Sequence, residues 1–246
     1  DPAPRNLEDM QARMQAETFD VGLCTDADGD RFGVMAPDGT FIPANDVLAL
    51  LIDYWAERTE GPRTMAMSLV AGTIVERTGM DNGLEVIRTP VGFKYPGKLM
   101  SENKVIMACE ESSGFAWTPH LPDKDGILTC AMMAHQLADL NQPVDVLRDN
   151  LYARLGHRLS KRLDLRLTEE KKDKLITGLR TTPPRLFAGH DVEKVDQTDG
   201  IRLDLDHGNW IAFRASGTEP LVRVYMDAEE NALLSRMEDE VNRLIG

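Results

Sequence analysis

Three aspartates at alternate positions, Asp26, Asp28 and Asp30, are the residues of this chain whose types and spacing best suit chemistry. The short apolar stretch before them, residues 19–25, predicts a β-strand, so the carboxylates are expected where a strand enters a loop. Like charges this close repel one another unless a cation lies between them. Mg²⁺ suits such a cluster, because it binds oxygen ligands, keeps waters and accepts phosphate as a co-ligand. The segment therefore predicts a magnesium site, with a solvated acidic turn as the alternative.

An EF-hand is a rival interpretation of the same loop, and the spacing excludes it. That calcium loop needs glycine at its sixth position and a bidentate glutamate at its twelfth. Counted from Asp26, these positions hold Arg31 and Pro37. We therefore expect a three-carboxylate site with coordination positions left for water or a substrate oxygen.

The composition limits the class of protein. The chain has 246 residues, 42% of them hydrophobic, and a formal net charge of −13, which allows one large domain or two to three small ones. A chain this acidic is a poor binder of nucleic acid or of anionic membranes, and no run of about 18 apolar residues is present to span a bilayer. The three cysteines lack metal spacing and fit buried thiols in a reducing cytoplasm, which is the predicted location.

Strand and helix patterns alternate along the first part of the chain. This alternation predicts an α/β layered domain with a mixed sheet. After Pro143, strand patterns with two helices predict an α+β module whose sheet is mainly antiparallel. The boundary is expected between residues 141 and 157. Asp46 and Thr168 are predicted to cap the helices that follow them.

A second group of polar residues follows the predicted strand at residues 104–108. Glu110, Glu111, Ser112 and Ser113 offer carboxylates and hydroxyls beyond the carboxyl end of that strand. Ligands of α/β sheets gather at this edge, so these side chains are well placed to bind sugar hydroxyls. The alternative is a helix start capped by Ser112 or Ser113.

A third group lies near the end of the chain. Arg214 is followed by Ser216, Gly217 and Thr218, and Arg223 comes soon after. Guanidinium groups, hydroxyls and a flexible glycine backbone together provide many hydrogen-bond donors for a phosphate. The two arginines can lie near each other across a turn. The alternative is a tight turn with an incidental arginine.

The segment at residues 89–99 is close to a nucleotide-binding P-loop but does not match it. Gly92 and Lys98 fit the P-loop pattern, whereas Leu99 stands where a Mg²⁺-binding hydroxyl is required. We reject nucleotide binding and keep Lys94 as a candidate anion contact, with a solvated loop lysine as the alternative.

Together, and in this order, the motifs resemble those of the α-D-phosphohexomutase superfamily, which includes phosphoglucomutase and phosphomannomutase. Residues 26–31 resemble its metal loop, 89–94 its third-domain loop, 110–112 its sugar-recognition loop and 214–220 its phosphate loop. The likeness extends essentially from end to end.

The resemblance also implies how the chain is organised. Family members have four domains, and the first carries a phosphorylated serine followed by His-Asn-Pro, which follows no serine of this chain. The chain is therefore expected to lack that N-terminal phosphoserine domain. Residues 1–41 would be the end of domain two with the metal loop, 42–145 domain three with the sugar loop, and 146–246 domain four with the phosphate loop.

The resemblance implies an intramolecular phosphotransferase, an isomerase of hexose phosphates. Phosphate would be exchanged between the 1- and 6-positions through a phosphoserine enzyme and a bisphosphosugar. Asp26, Asp28 and Asp30 would hold Mg²⁺, and Arg31 and Lys124 would be catalytic. The residues expected to bind the phosphosugar are Thr89, Gly92, Lys94, Glu110, Ser112, Arg214, Ser216, Gly217, Thr218 and Arg223.

The choice of sugar stays open between related substrates. The Glu-Glu-Ser form of the sugar loop favours glucose phosphate, with mannose phosphate as the alternative. A phosphoglucosamine mutase and a non-catalytic phosphosugar-binding protein are the other interpretations. Without the phosphoserine, the chain itself is expected to be inactive.

Overall fold

The computed structural model describes residues 1–216 and 219–245. The chain forms two compact units, Asp1–Gly156 and His157–Gly246. The division into three domains at residues 41/42 and 145/146 stays a prediction. Among the described residues, no helix has both the length and the apolar character needed to cross a bilayer.

The first unit opens with a small antiparallel sheet that carries the acidic loop. Its strands, in the order β1-β2-β3, follow helix α1. Thr25 at the end of one strand pairs with Phe32 at the start of the next. Residues 26–31 therefore follow a strand as a loop, as predicted, and this loop connects the two strands of a hairpin. The elements are α1 (Glu8–Ala16), β1 (Gly22–Thr25), β2 (Phe32–Met35) and β3 (Phe41–Ile42).

The second sheet of this unit is mixed, with the order β5-β4-β6-β7. The central strand β4 is parallel to β5 and β6, and β7 is antiparallel to β6. The carboxyl ends of the three parallel strands therefore lie at one edge, with Ser68, Thr89 and Glu110 as their last residues. The strands are β4 (Thr64–Ser68), β5 (Glu85–Thr89), β6 (Met107–Glu110) and β7 (Gly114–Trp117).

Five helices complete the first unit, and α2 is its central apolar element. Residues 47–52 of α2 are all buried in the core, which removes a large apolar area from water. The helices are α2 (Ala44–Trp55), α3 (Thr73–Asp81), α4 (Lys94–Ser101), α5 (Gly126–Leu140) and α6 (Val144–Leu155).

Two helix starts differ from the sequence predictions. Asp46 does not cap α2, because Pro43 occupies that position and Asp46 accepts a hydrogen bond from the hydroxyl of Tyr152 instead. The segment at residues 89–99 forms helix α4 from Lys94 onward, so only its first part is the expected 89–94 loop. Its proline, Pro96, is the third helical residue, where a missing N–H has no intrahelical partner to lose.

The second unit is an α+β module with a six-stranded antiparallel sheet, as predicted. The strand order is β8-β13-β12-β11-β10-β9. Thr168 caps α7 as predicted, because its hydroxyl accepts a hydrogen bond from the amide of Lys171 at 3.3 Å. The elements are β8 (Leu159–Arg166), α7 (Glu169–Thr181), β9 (Leu186–Phe187), β10 (His190–Asp196), β11 (Ile201–Leu205), β12 (Trp210–Ala215), β13 (Leu221–Ala228) and α8 (Asn231–Ile245).

The two faces of this sheet differ in polarity. Alternate residues of β11, β12 and β13, such as Leu203, Phe213 and Val224, form one core with side chains of α7 and α8. The other face carries the charged residues of the same strands, among them Arg214 and Arg223, because successive side chains of a strand point to opposite sides.

Candidate functional site

The acidic loop brings its three aspartates together. Asp26, Asp28 and Asp30 each offer one carboxylate oxygen, and these oxygens all lie within 4.8 Å of one another. Gly29 has a φ of +75°, a conformation that favours glycine and lets the loop turn tightly. An oxygen cluster of this kind fits a hard divalent cation such as Mg²⁺.

Two cationic side chains flank the cluster. The Nζ atom of Lys124 lies 2.8 Å from Oδ2 of Asp30, and the lysine side chain is only 14% exposed. The Nε atom of Arg31 lies 3.7 Å from Asp26 and 3.9 Å from Asp30, too far for a hydrogen bond to either. Both predicted catalytic residues therefore lie beside the cluster of predicted metal ligands.

Lys124 reaches the cluster by passing over Gly114. A Cβ atom at Gly114 would lie 2.5 Å from Cδ of Lys124, so only a glycine leaves room for the lysine stem in this position. The neighbouring Asp125 caps α5 by accepting a hydrogen bond from the Leu128 amide at 2.7 Å. Burial works to raise the pKa of Asp125, but hydrogen bonds from Leu128 and His120 hold it below its usual value.

Removing the lysine charge should strengthen binding of a divalent cation. Lys124 competes with the cation for Asp30. Two unit charges about 4 Å apart interact by about 1 kcal/mol in bulk water and by about 4 kcal/mol near a protein surface. Lys124→Met is expected to tighten Mg²⁺ binding by about 5- to 30-fold, allowing for solvent screening. Calorimetric titration of the chain with Mg²⁺ measures this.

Lys104→Met is the matched control for that measurement. Lys104 is exposed, pairs with Glu102 and precedes β6 at its amino end. Its removal deletes the same charge and should leave Mg²⁺ affinity unchanged. Unchanged or weaker binding by Lys124→Met would contradict the competition between this lysine and the cation.

The predicted sugar loop is a hairpin between β6 and β7. Glu110 pairs with Gly114 across the strands, so residues 111–113 form the connection, and the alternative of a capped helix start is wrong. Ser113 has a φ of +66° and accepts a hydrogen bond from the amide of Phe32 at 3.2 Å. This bond attaches the end of the acidic loop to the hairpin that carries Ser112.

The two adjacent glutamates have different partners. Glu110 is only 4% exposed, and its Oε1 accepts a hydrogen bond from the Gly92 amide at 2.7 Å. Glu111 accepts a hydrogen bond from the hydroxyl of Ser68, also at 2.7 Å. The structure thus joins Glu110 to the 89–94 segment, and it assigns to Ser68 a supporting contact that the sequence analysis missed.

The remaining residues of the 89–94 segment are positioned differently. Thr89, the last residue of β5, is buried, and its hydroxyl donates a hydrogen bond to the Met67 carbonyl of the neighbouring strand at 3.3 Å. Gly92 has a φ of +118° with open space around it. Lys94 is exposed, with its Nζ atom 4.9 Å from the centre of the Tyr95 ring. Roles for Thr89, Gly92 and Lys94 in substrate binding stay predictions.

The two arginines of the predicted phosphate loop face each other across β12 and β13. Arg214 is the register partner of Arg223, and Arg223 is in turn opposite Asp164 on β8. Like charges directly opposite each other destabilise a sheet. Here each arginine has a nearby carboxylate, because Asp199 contacts Arg214 and Asp164 lies opposite Arg223 on the neighbouring strand. Arg162 and, to a smaller extent, Arg223 lower the pKa of Asp164.

The hydrogen bonds around these arginines bear on anion binding. Burial opposes the charge of Arg214, but hydrogen bonding and charge from Asp199 raise its pKa. The Nε atom of Arg223 is buried and has no hydrogen-bond partner among the described residues. The hydroxyl of Ser216 accepts a hydrogen bond from the Glu219 amide at 3.2 Å. The predicted contacts Gly217 and Thr218 lie outside the described residues.

Family models match most of the chain. The alpha/beta/alpha domain III of phosphoglucomutase/phosphomannomutase matches residues 43–155, and the C-terminal domain of the same family matches residues 163–244.

Individual relatives agree with this match. The human protein named phosphoglucomutase-1 is 28% identical, over 94% of this chain and 46% of its own length. The phosphoglucosamine mutase of Acidothermus cellulolyticus is 26% identical, over 98% of this chain and 48% of its own length. A solved structure of a phosphoglucomutase/phosphomannomutase family protein from Burkholderia thailandensis is 26% identical with a TM-score of 0.81, covering 99% of this chain and 50% of that one. The chain spans about half the length of the curated relatives it matches.

Proposed function

Since the chain belongs to the phosphoglucomutase/phosphomannomutase family of the α-D-phosphohexomutase superfamily, we propose that it is part of an enzyme that interconverts hexose 1-phosphate and hexose 6-phosphate. The preferred sugar we propose is glucose. The observation that carries this proposal is the cluster of three aspartates with the cationic side chains of Lys124 and Arg31 beside it. The hydrogen bond from the Phe32 amide connects this cluster to the hairpin that carries Glu110 and Ser112.

The first unit would supply the groups at the reacting end of the phosphosugar. Asp26, Asp28 and Asp30 would hold Mg²⁺, which when bound supplies positive charge that stabilises a transferring phosphoryl group. Arg31 would add positive charge beside it, and Lys124 would contact the phosphate or transfer a proton. The carboxylate cluster fits the ion in number and type of ligand.

Sugar and phosphate would be bound by separate groups. The Glu110 carboxylate would accept hydrogen bonds from sugar hydroxyls, and the Ser112 hydroxyl would donate or accept one. The 89–94 segment would lie beside them. The second unit would bind a phosphate group through residues 214–218 and Arg223.

Phosphoryl transfer would require a phosphoserine domain that this sequence does not provide. No serine of the chain precedes His-Asn-Pro, so that domain is the expected partner. The reaction would pass through a phosphoserine and a bisphosphosugar. We infer a cytoplasmic location, supported by the free thiols of Cys24, Cys109 and Cys130.

The substrate panel that tests this function compares two proteins. The chain alone should convert none of the 1-phosphates of glucose, mannose and glucosamine, whereas the chain supplemented with a phosphoserine domain of the family should convert at least one. The preferred sugar distinguishes a glucose or mannose mutase from a phosphoglucosamine mutase, the activity named for the Acidothermus relative. Turnover by the chain alone, or none by the supplemented protein, would contradict the proposal.

Arg214→Ala should weaken binding of glucose 6-phosphate to the chain. Charge-assisted hydrogen bonds contribute about 1.5–3 kcal/mol each, so the expected loss is about 10- to 100-fold in a calorimetric titration. Arg180→Ala is the control, because Arg180 is exposed on α7, the helix that packs against the apolar face of the same sheet. Equal affinity of Arg214→Ala and the unmodified chain would exclude Arg214 from phosphate binding.

A further inference from the structure

Arg214 is held by an aspartate that the sequence analysis did not single out. Oδ2 of Asp199 accepts hydrogen bonds from both Nε and Nη2 of Arg214, at 3.0 and 2.8 Å. The arginine side chain is 17% exposed. Two contacts from one carboxylate to one edge of the planar guanidinium group fix the orientation of the whole group.

The glycine after Asp199 makes this contact geometrically feasible. Asp199 and Gly200 lie in the turn between β10 and β11, and Gly200 has a φ of +89°. A Cβ atom at Gly200 would lie 2.3 Å from the carbonyl oxygen of Phe213 and 2.9 Å from Cγ of Arg214. The turn therefore packs directly on the backbone of β12, which brings the Asp199 carboxylate alongside Arg214.

The donor groups of Arg214 that remain are suited to an anion. A guanidinium group has five N–H donors, and Asp199 lies against two of them, on Nε and Nη2. The others can bind two oxygens of a phosphate without displacing Asp199.

We infer that Asp199 is a positioning residue, which holds Arg214 ready for the phosphate of a phosphosugar; this inference rests on the proposed function. A different role for the same carboxylate makes the opposite prediction. Asp199 is a negative charge beside a proposed phosphate site, and as a purely repulsive neighbour it would weaken phosphate binding. Removing it would then strengthen binding. If Asp199 orients Arg214, removing it frees the guanidinium, and ordering that side chain again on binding lowers the affinity.

The experiment measures both the orientation of Arg214 and its consequence. The Nε–H resonance of Arg214, assigned by its loss in Arg214→Lys, is followed by NMR for exchange with solvent, and glucose 6-phosphate is titrated by calorimetry. In Asp199→Ala we expect the resonance to lose its protection and the affinity to fall about 10-fold. Asp199→Asn keeps an oxygen acceptor and should stay within about 3-fold of the unmodified chain, without tightening.

Asp191→Ala serves as the control, because Asp191 is an exposed aspartate of β10 in the same hairpin and its removal changes the net charge equally. It should leave both measurements unchanged. Tighter or equal binding by Asp199→Ala, or a resonance that stays protected in it, would overturn the positioning role. Failure of the unmodified chain to bind glucose 6-phosphate or inorganic phosphate would contradict the proposed function instead, and the Arg214 resonance would then decide on Asp199 alone.

Discussion

Gly126→Ala is expected to abolish Mg²⁺ binding by the acidic loop and to destabilise the first unit by about 1–3 kcal/mol or more. A Cβ atom at Gly126 would lie 2.2 Å from the carbonyl oxygen of Arg31, 2.6 Å from its carbonyl carbon and 2.9 Å from its amide nitrogen. These are backbone atoms, which cannot rotate away as a side chain can. Because overpacking of a filled site costs about 1–3 kcal/mol and occasionally more, the loop and α5 must separate.

Separation would also break the bond that attaches the loop to the helix. The Gly126 amide donates a hydrogen bond to the carbonyl of Gly29 at 2.8 Å, inside the turn that carries the three aspartates. Moving this turn disperses the carboxylate oxygens, and a cation site that depends on several ligands loses affinity when any of them moves. Calorimetric titration with Mg²⁺ and scanning calorimetry of unfolding measure the two effects.

Gly178→Ala is the control for Gly126→Ala. Gly178 lies inside helix α7, and a Cβ atom there would meet no atom within 4 Å. Alanine should therefore stabilise the second unit by about 0.5–1 kcal/mol and leave Mg²⁺ binding unchanged. If Gly126→Ala bound Mg²⁺ normally and unfolded at the same temperature as the unmodified chain, the loop could not lie against α5 as the structure has it.

The features that the sequence predicted correctly are those set by neighbouring residues. The acidic hairpin follows from two short apolar strands on either side of residues 26–31, and the cap at Thr168 follows from one hydroxyl before a charged helix. The α/β and mainly antiparallel α+β classes follow from the order of strand and helix patterns. The hairpin and the cap depend on residues next to them, and the fold classes depend only on the order of such local patterns.

Contacts between distant segments were not predictable in the same way. Gly126 and Arg31 meet although they are far apart in sequence, and nothing about Gly126 alone indicates which backbone it will contact. Asp199 resembles any Asp-Gly turn until the register of β11 and β12 places Arg214 beside it. The start of α4 at Lys94 was not predicted, and its first turn contains Pro96, which is tolerated there because the N–H of a first-turn residue has no partner within the helix.

Removing one partner of a buried ion pair should strongly destabilise the second unit. Arg158 and Asp227 have side-chain exposures of 1% and 0%, and Oδ1 of the aspartate accepts from Nε and Nη2 of the arginine at 2.9 and 2.8 Å. The other carboxylate oxygen accepts from the Ser160 hydroxyl at 2.7 Å. Asp227→Ala would leave the guanidinium group buried without its counter-ion, a change that costs about 3–5 kcal/mol.

Guanidinium chloride unfolding of the chain can test this value, with two comparisons that isolate its origin. Glu240→Ala breaks the surface pair of Arg243 and Glu240, whose side chains are 71% and 30% exposed, and it should cost less than about 1 kcal/mol because solvent screens such pairs. The double variant Arg158→Met/Asp227→Ala should recover part of the loss, because no unpaired charge then remains in the core. If Asp227→Ala cost no more than Glu240→Ala, water would have to reach Arg158 in the folded protein, contrary to its burial against Asp227 of β13 and the carbonyl of Gly208.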